Sequence, residues 1–113
     1  MSIKTNLTVD QGANFIYNIY LVDTDGNPFD LTGYTGAAQV RRTYTSNTYN
    51  TINVDITGNS GLIALTMNAA ITANLVNNRY VYDLELTSNN VVSRIVEGFI
   101  TVNPGVTRWK MVR

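Results

Sequence analysis

The sequence predicts an antiparallel, immunoglobulin-like β-sandwich of six to eight strands with at most one short helix. Three observations carry that expectation. Apolar and aromatic residues alternate with a period of two in several short runs. Clusters of turn formers punctuate those runs at short intervals, and no long helical pattern lies between them.

The first run places Phe15, Tyr17, Ile19 and Leu21 on one face and Ile16, Asn18, Tyr20 and Val22 on the other. Asp23-Thr24-Asp25-Gly26-Asn27-Pro28 then ends the strand with a dense set of turn residues. Leu31-Thr32-Gly33-Tyr34 leads into a second strand over residues 36–44, where Ala38, Val40 and Arg42 alternate against Ala37, Gln39 and Arg41. Residues 45–50 are polar and read as a loop. A short strand over 52–57 reaches Gly58-Asn59-Ser60-Gly61, whose glycines suit a tight reversal. Ile63, Leu65 and Met67 share a face of the strand that follows.

Residues 68–75 are the helix-like stretch, with Asn68 as N-cap and Ile71 and Leu75 four apart on one face. Residues 79–87 alternate cleanly, Tyr80, Tyr82, Leu84 and Leu86 inward, and Arg79, Val81, Asp83 and Glu85 outward. Ser88-Asn89-Asn90 reads as a hairpin turn into a long final strand over 91–102, which Pro104-Gly105 stops. The expected organisation is one sandwich domain over residues 1–105 and a C-terminal arm over 106–113. Residues 1–5 form a second expected arm.

Charged residues make up 14% of the 113-residue chain, and formal net charge is zero. Asn and Thr fill the place of the missing charge. A neutral chain lacks the phosphate-neutralising excess of a general nucleic-acid binder. A surface with little charge also does little to keep identical copies apart, which suits a subunit packed among neighbours. The N-terminal residues lack the apolar stretch of a signal peptide, and no apolar run approaches the length that spans a bilayer. The expectation is a chain made in the cytoplasm, with no membrane partner. Cys is absent, so redox compartment is not legible.

The catalytic inventory is thin. Without His or Cys, the commonest general base, the thiol nucleophile and the usual zinc ligands are missing. Asp83, Glu85 and Glu97 are the carboxylates that could form an acid/base pair or a hard-metal site. Opposite charges at Arg79, Arg94 and Arg41 favour cross-strand ion pairs instead. The segment from Asp23 to Asn27 resembles half a calcium loop but lacks the remaining ligands, so a hairpin turn is favoured. The expectation is therefore a non-enzymatic protein with no catalytic residue, cofactor or metal.

Tyr34, Tyr44 and Tyr49 lie near loops and suit either a protein interface or a sugar-stacking surface. In the tail, Arg108, Trp109, Lys110 and Met111 follow a strand terminator and have the composition of an interface anchor. A disordered basic terminus is the other reading, and both stay open. Tyr49 joins these four as a candidate contact.

Arg79-Tyr80-Val81-Tyr82-Asp83-Leu84-Glu85-Leu86 stands with Asp30-Leu31-Thr32-Gly33-Tyr34, Gln39-Val40-Arg41, Glu97-Gly98 and Val102-Asn103-Pro104-Gly105-Val106-Thr107-Arg108. In this order and spacing, and with Thr72 and Leu75 in a T-x-x-L turn, the chain resembles a group of small tailed-bacteriophage virion proteins. The resemblance is to the N-terminal β-sandwich domain of baseplate upper proteins and related tail or fibre-attachment proteins, across residues 28–108. It implies a structural subunit of the virion, present in many symmetric copies and bound to other virion structural proteins at the tail, baseplate, neck or fibre attachment. The Asn- and Thr-rich loop around Ser46-Asn47-Thr48-Tyr49-Asn50 is long for that pattern. In those relatives the module often precedes a fibre or receptor-binding part. Capsid decoration and carbohydrate binding are the alternatives carried forward.

Overall fold

The computed structural model describes residues 3–58, 60–76 and 78–106. Eight strands and one helix follow in chain order: β1 (Ile3–Lys4), β2 (Leu7–Asp10), β3 (Phe15–Tyr20), β4 (Thr35–Arg41), β5 (Asn50–Thr57), β6 (Leu62–Met67), α1 (Ala69–Ala73), β7 (Arg79–Ser88) and β8 (Val91–Asn103).

The strands form two layers, and β5 belongs to both. Its first residues pair with β4, where Ala38 faces Ile52, and from Asn53 onward it pairs with β6. One layer is therefore β1/β2–β8–β7–β4 with the start of β5. The other is the end of β5 with β6 and β3. Period-two alternation puts one side of each layer into a shared core. Val40, Tyr82, Leu84 and Ile100 meet Ile63, Leu65 and Met67, all nearly or fully buried. Gly36 lets the layers close, because a Cβ there would stand 2.6 Å from Val54 Cγ1 of β5. This is a two-layer β-sandwich with one short helix.

Two expectations need correction. The sheet is mixed, not antiparallel throughout: β1 and β2 both run parallel to β8. The N-terminal residues were expected to be an arm, yet Ile3 and Lys4 pair with Val96 and Glu97. The physical reason is an edge that needs covering. β8 pairs with β7 on one side only, and the N-terminal segment fills the other while burying Leu7 and Val9. At the break between β1 and β2 the ladder is kept by substitution. Thr5 N–H donates to Glu97 O (2.9 Å), and the Asn6 side-chain oxygen accepts from Phe99 N–H (3.1 Å).

Local chemistry explains the turns. Asp23 Oδ1 accepts from the amides of Asp25 (2.9 Å) and Asn27 (3.0 Å), and Gly26 takes φ +85°, so the loop is a self-satisfied hairpin turn. Asn89 and Asn90 have φ of 51° and 67°, the paired left-handed geometry of a type I′ turn, with Ser88 opposite Val91. Asn68 caps α1 by accepting from Ile71 N–H at 2.9 Å.

Three side chains sit differently from the pattern. Thr72, not Ile71, joins Leu75 in the fully buried set. Its hydroxyl donates to Ala13 O (2.8 Å) and accepts from Gly12 N–H (3.0 Å), tying α1 to the β2–β3 connection. Val81 was expected to face solvent and is 8% exposed, because it floors a groove walled by Arg41 and Tyr44. Arg42 falls just past the end of β4 and donates to Arg79 O at 2.8 Å.

Candidate functional site

With the core closed, the surfaces left for function are the two outer sheet faces, the strand edges and the loops. The outer face of the larger layer carries a groove of about 310 Å³. Its floor is Ala37 and Val81, set by the alternation of β4 and β7. One wall is Arg41 and Tyr44; the other is formed by Asp83, Arg94 and Glu97.

The charged wall is a ladder of ion pairs. Asp83 and Glu97 lie opposite each other in the β7–β8 register, which would set two negative charges side by side. Arg94 stands between them, Nε 3.3 Å from Asp83 Oδ2 and one terminal nitrogen 3.5 Å from Glu97 Oε1. Lys4 reaches Glu97 Oε2 from β1 at 3.4 Å. The cross-strand pairing favoured by the charge pattern is thus present through Arg94, while Arg79 and Arg41 serve elsewhere. The Arg79 guanidinium lies 4.8 Å from the Phe99 ring centre. Among the described residues, no group of three or more potential ligands is placed to hold a metal ion.

Arg41 organises the opposite wall. It donates to Ser46 O (2.6 Å) and to Gln39 Oε1 (2.8 Å), and its guanidinium carbon stands 4.8 Å from the Tyr49 ring centre. These contacts hold the Asn- and Thr-rich loop against the sheet. Tyr49 is half-exposed with one ring face covered, and Tyr44 at the groove rim is 70% exposed. Tyr34 is not a surface aromatic: it packs edge-on against Phe29, ring centres 6.0 Å apart. Arg108, Trp109, Lys110 and Met111, the anchor proposed from the tail, lie outside the described residues.

The outer face of the smaller layer has the opposite character. Neither β3 nor β6 contains a charged residue, and Asp55 of β5, opposite Ala64, borders this face. Ile16 (66% exposed) and Tyr20 (69%) stand out from β3, opposite Thr66 and Leu62 of β6. Among the described residues, β3 is also the last strand of its sheet. This surface did not stand out in the sequence, where the alternation showed both faces of β3 to be apolar but not which one the core would take. A further exposed pair, Val91 and Val92, lies at the tip of the β7–β8 hairpin.

No protein-family model matches the chain, and no curated protein matches it. Among solved structures, it is similar to the extracellular fragment, including the stalk region, of novel immune-type receptor 11 from Ictalurus punctatus. The likeness covers 96% of this chain and 90% of that one at 14% identity, with a TM-score of 0.46. It carries no information on what the chain does.

Proposed function

We propose that this protein is a non-enzymatic structural subunit of a tailed-bacteriophage particle, working through protein–protein assembly at the tail, baseplate, neck or fibre attachment. One observation supports the assembly reading above the others. The polar face ties Asp83 and Glu97 into ion pairs, whereas β3 and β6 bring no charge to their outer face, which Asp55 of β5 borders, and leave Ile16 and Tyr20 unburied. Exposed apolar groups gathered on one rigid face mark contact surfaces. The resemblance of residues 28–108 to virion β-sandwich domains supplies the setting, with other virion structural proteins as partners. The same surface logic serves a capsid decoration protein equally well. Mass spectrometry of separated heads and tails tests both: the chain is expected in the tail fraction, detection only in heads selects decoration, and absence from both overturns the proposal.

Tyr44 supports one alternative of a different class. An exposed aromatic beside Gln39, Arg41 and Asp83 is an arrangement on which a sugar ring can stack while its hydroxyls are bound. Saturable glycan binding lost in Tyr44→Ala would move the carbohydrate reading ahead.

A further inference from the structure

Among the described residues nothing pairs with the outer edge of β3, and the geometry of that edge defines its own partner. Leu21 N–H donates to Gly61 O (2.8 Å), which makes Tyr20–Leu62 a non-hydrogen-bonded pair of the β3–β6 ladder. Odd-numbered residues of β3 therefore bond to β6. The N–H and C=O of Ile16, Asn18 and Tyr20 point the other way, along the open edge.

Natural edge strands are protected by charge, proline, bulges or shortness. The edge formed by β1 and β2 has such protection, being interrupted at Thr5 and Asn6 and carrying Lys4 and Asp10. β3 has none: Phe-Ile-Tyr-Asn-Ile-Tyr is an uninterrupted six-residue strand with no charge and no proline.

Resting on the assembly reading above, we infer that β3 pairs antiparallel with β3 of a second copy of this chain, in a two-fold register centred on Asn18. Three constraints select this register. A two-fold axis through the sheet must oppose residues of the same face, so the centre falls on a residue and not between two. Centring on Asn18 sets Ile16 against the second copy's Tyr20, and Asn18 against itself. All edge-facing N–H and C=O groups of Ile16, Asn18 and Tyr20 then find partners. A centre on Tyr17 instead sets Tyr20 against Asn14, outside the strand.

Charge agrees with a self-complementary contact. Identical residues meet near a two-fold axis, where any formal charge would face its own copy, and β3 carries none. Area sets the strength. Pairing over about 20 Å of edge buries on the order of 400 Å² per copy, against roughly 800 Å² per partner in a standard stable interface. The pair is therefore weak in dilute solution and forms where copies are held at high local concentration, as in a symmetric particle.

Disulfide trapping in the full chain tests the register, because the chain has no Cys of its own. Opposed residues at such a site have Cα atoms about 5.5 Å apart, within disulfide reach. Under mild oxidation Asn18→Cys is expected to couple to itself on the order of tenfold faster than Ala64→Cys, a control on the outer face of the inner strand β6. Ile16→Cys and Tyr20→Cys should each couple slowly alone and form a mixed disulfide together. Asn18 is exposed, and circular dichroism of each variant verifies folding. Asn18→Lys, which sets two cations face to face, should remove the concentration-dependent sedimentation of the unmodified chain. Self-coupling of Asn18→Cys no faster than the control overturns the register, as does equal self-coupling of Ile16→Cys. Trapping without incorporation into particles would retain the pair and refute the virion reading; incorporation without trapping would do the reverse.

Discussion

The Tyr82 hydroxyl donates a 2.6 Å hydrogen bond to the main-chain carbonyl of Thr5, across the position of Gly98, its register partner on β8. The contact links the centre of the larger layer to the break between β1 and β2. Burial, with a smaller contribution from Tyr17 across the core, pushes the Tyr82 phenol up to about 12.

Tyr82→Phe is expected to cost about 0.5–1.5 kcal/mol at neutral pH, from loss of this bond. The folded-state value lies above the unfolded value near 10, so the neutral phenol is favoured by folding. That contribution is complete below pH 10 and is lost as pH rises through 12. Urea unfolding across this window should show the wild-type advantage shrinking toward the variant.

Gly98→Ala should destabilise more than Gly36→Ala. A Cβ at position 98 would press into the Thr5 carbonyl, 2.8 Å from its carbon, and Thr5 is held by its own bond to Glu97. At position 36 the nearest atom is a Val54 methyl, which can turn away. The expected cost at 98 is about 1–3 kcal/mol, read from urea midpoints. Faster amide exchange at Leu7 and Val9 should accompany it, since β2 would lose its seat on β8.

Thr72→Val removes the hydroxyl that joins the Gly12 amide and the Ala13 carbonyl to α1, and because Gly12 and Ala13 are exposed, water can replace part of what is lost. The expected cost is that of ordinary hydrogen bonds, about 0.5–1.5 kcal/mol. Thermal melts should place Thr72→Val well below Thr72→Ser, which retains the hydroxyl.

Arg94→Ala is expected to be mild despite the number of its contacts. Its side chain is half exposed, and exposed ion pairs contribute about 0–1 kcal/mol each. Removal leaves Asp83 and Glu97 opposite each other in the β7–β8 register without the cation between them, so the loss should be largest at low ionic strength and fade with added salt. An undiminished loss at high salt would mean that the aliphatic stem, not the charge, holds the groove wall.

The fold was legible where a strand is long enough to repeat its pattern. Tyr80, Tyr82, Leu84 and Leu86 give four inward positions in a row, and Asn89-Asn90 names its own turn. β1 and β2 were not legible, because Ile3, Leu7 and Val9 give too few alternations and their partners lie 93 residues away. Helical spacing marked Ile71 and Leu75, while Thr72 was hidden because a buried hydroxyl is specified by Gly12 and Ala13. The candidate contact surface was half visible. β3 is apolar on both faces in the sequence, and only the layer arrangement shows Ile16 and Tyr20 outside and Tyr17 and Ile19 against the core.

The parallel seam between β2 and β8 has a mechanical consequence. Tension applied across Ile3 and Val106 runs along both strands in opposite senses, so the bonds from Leu7–Ile100 to Asp10–Asn103 are loaded in shear and share the force. They must rupture together rather than unzip one by one. A subunit clamped in this way holds its shape under pulling until the whole seam gives.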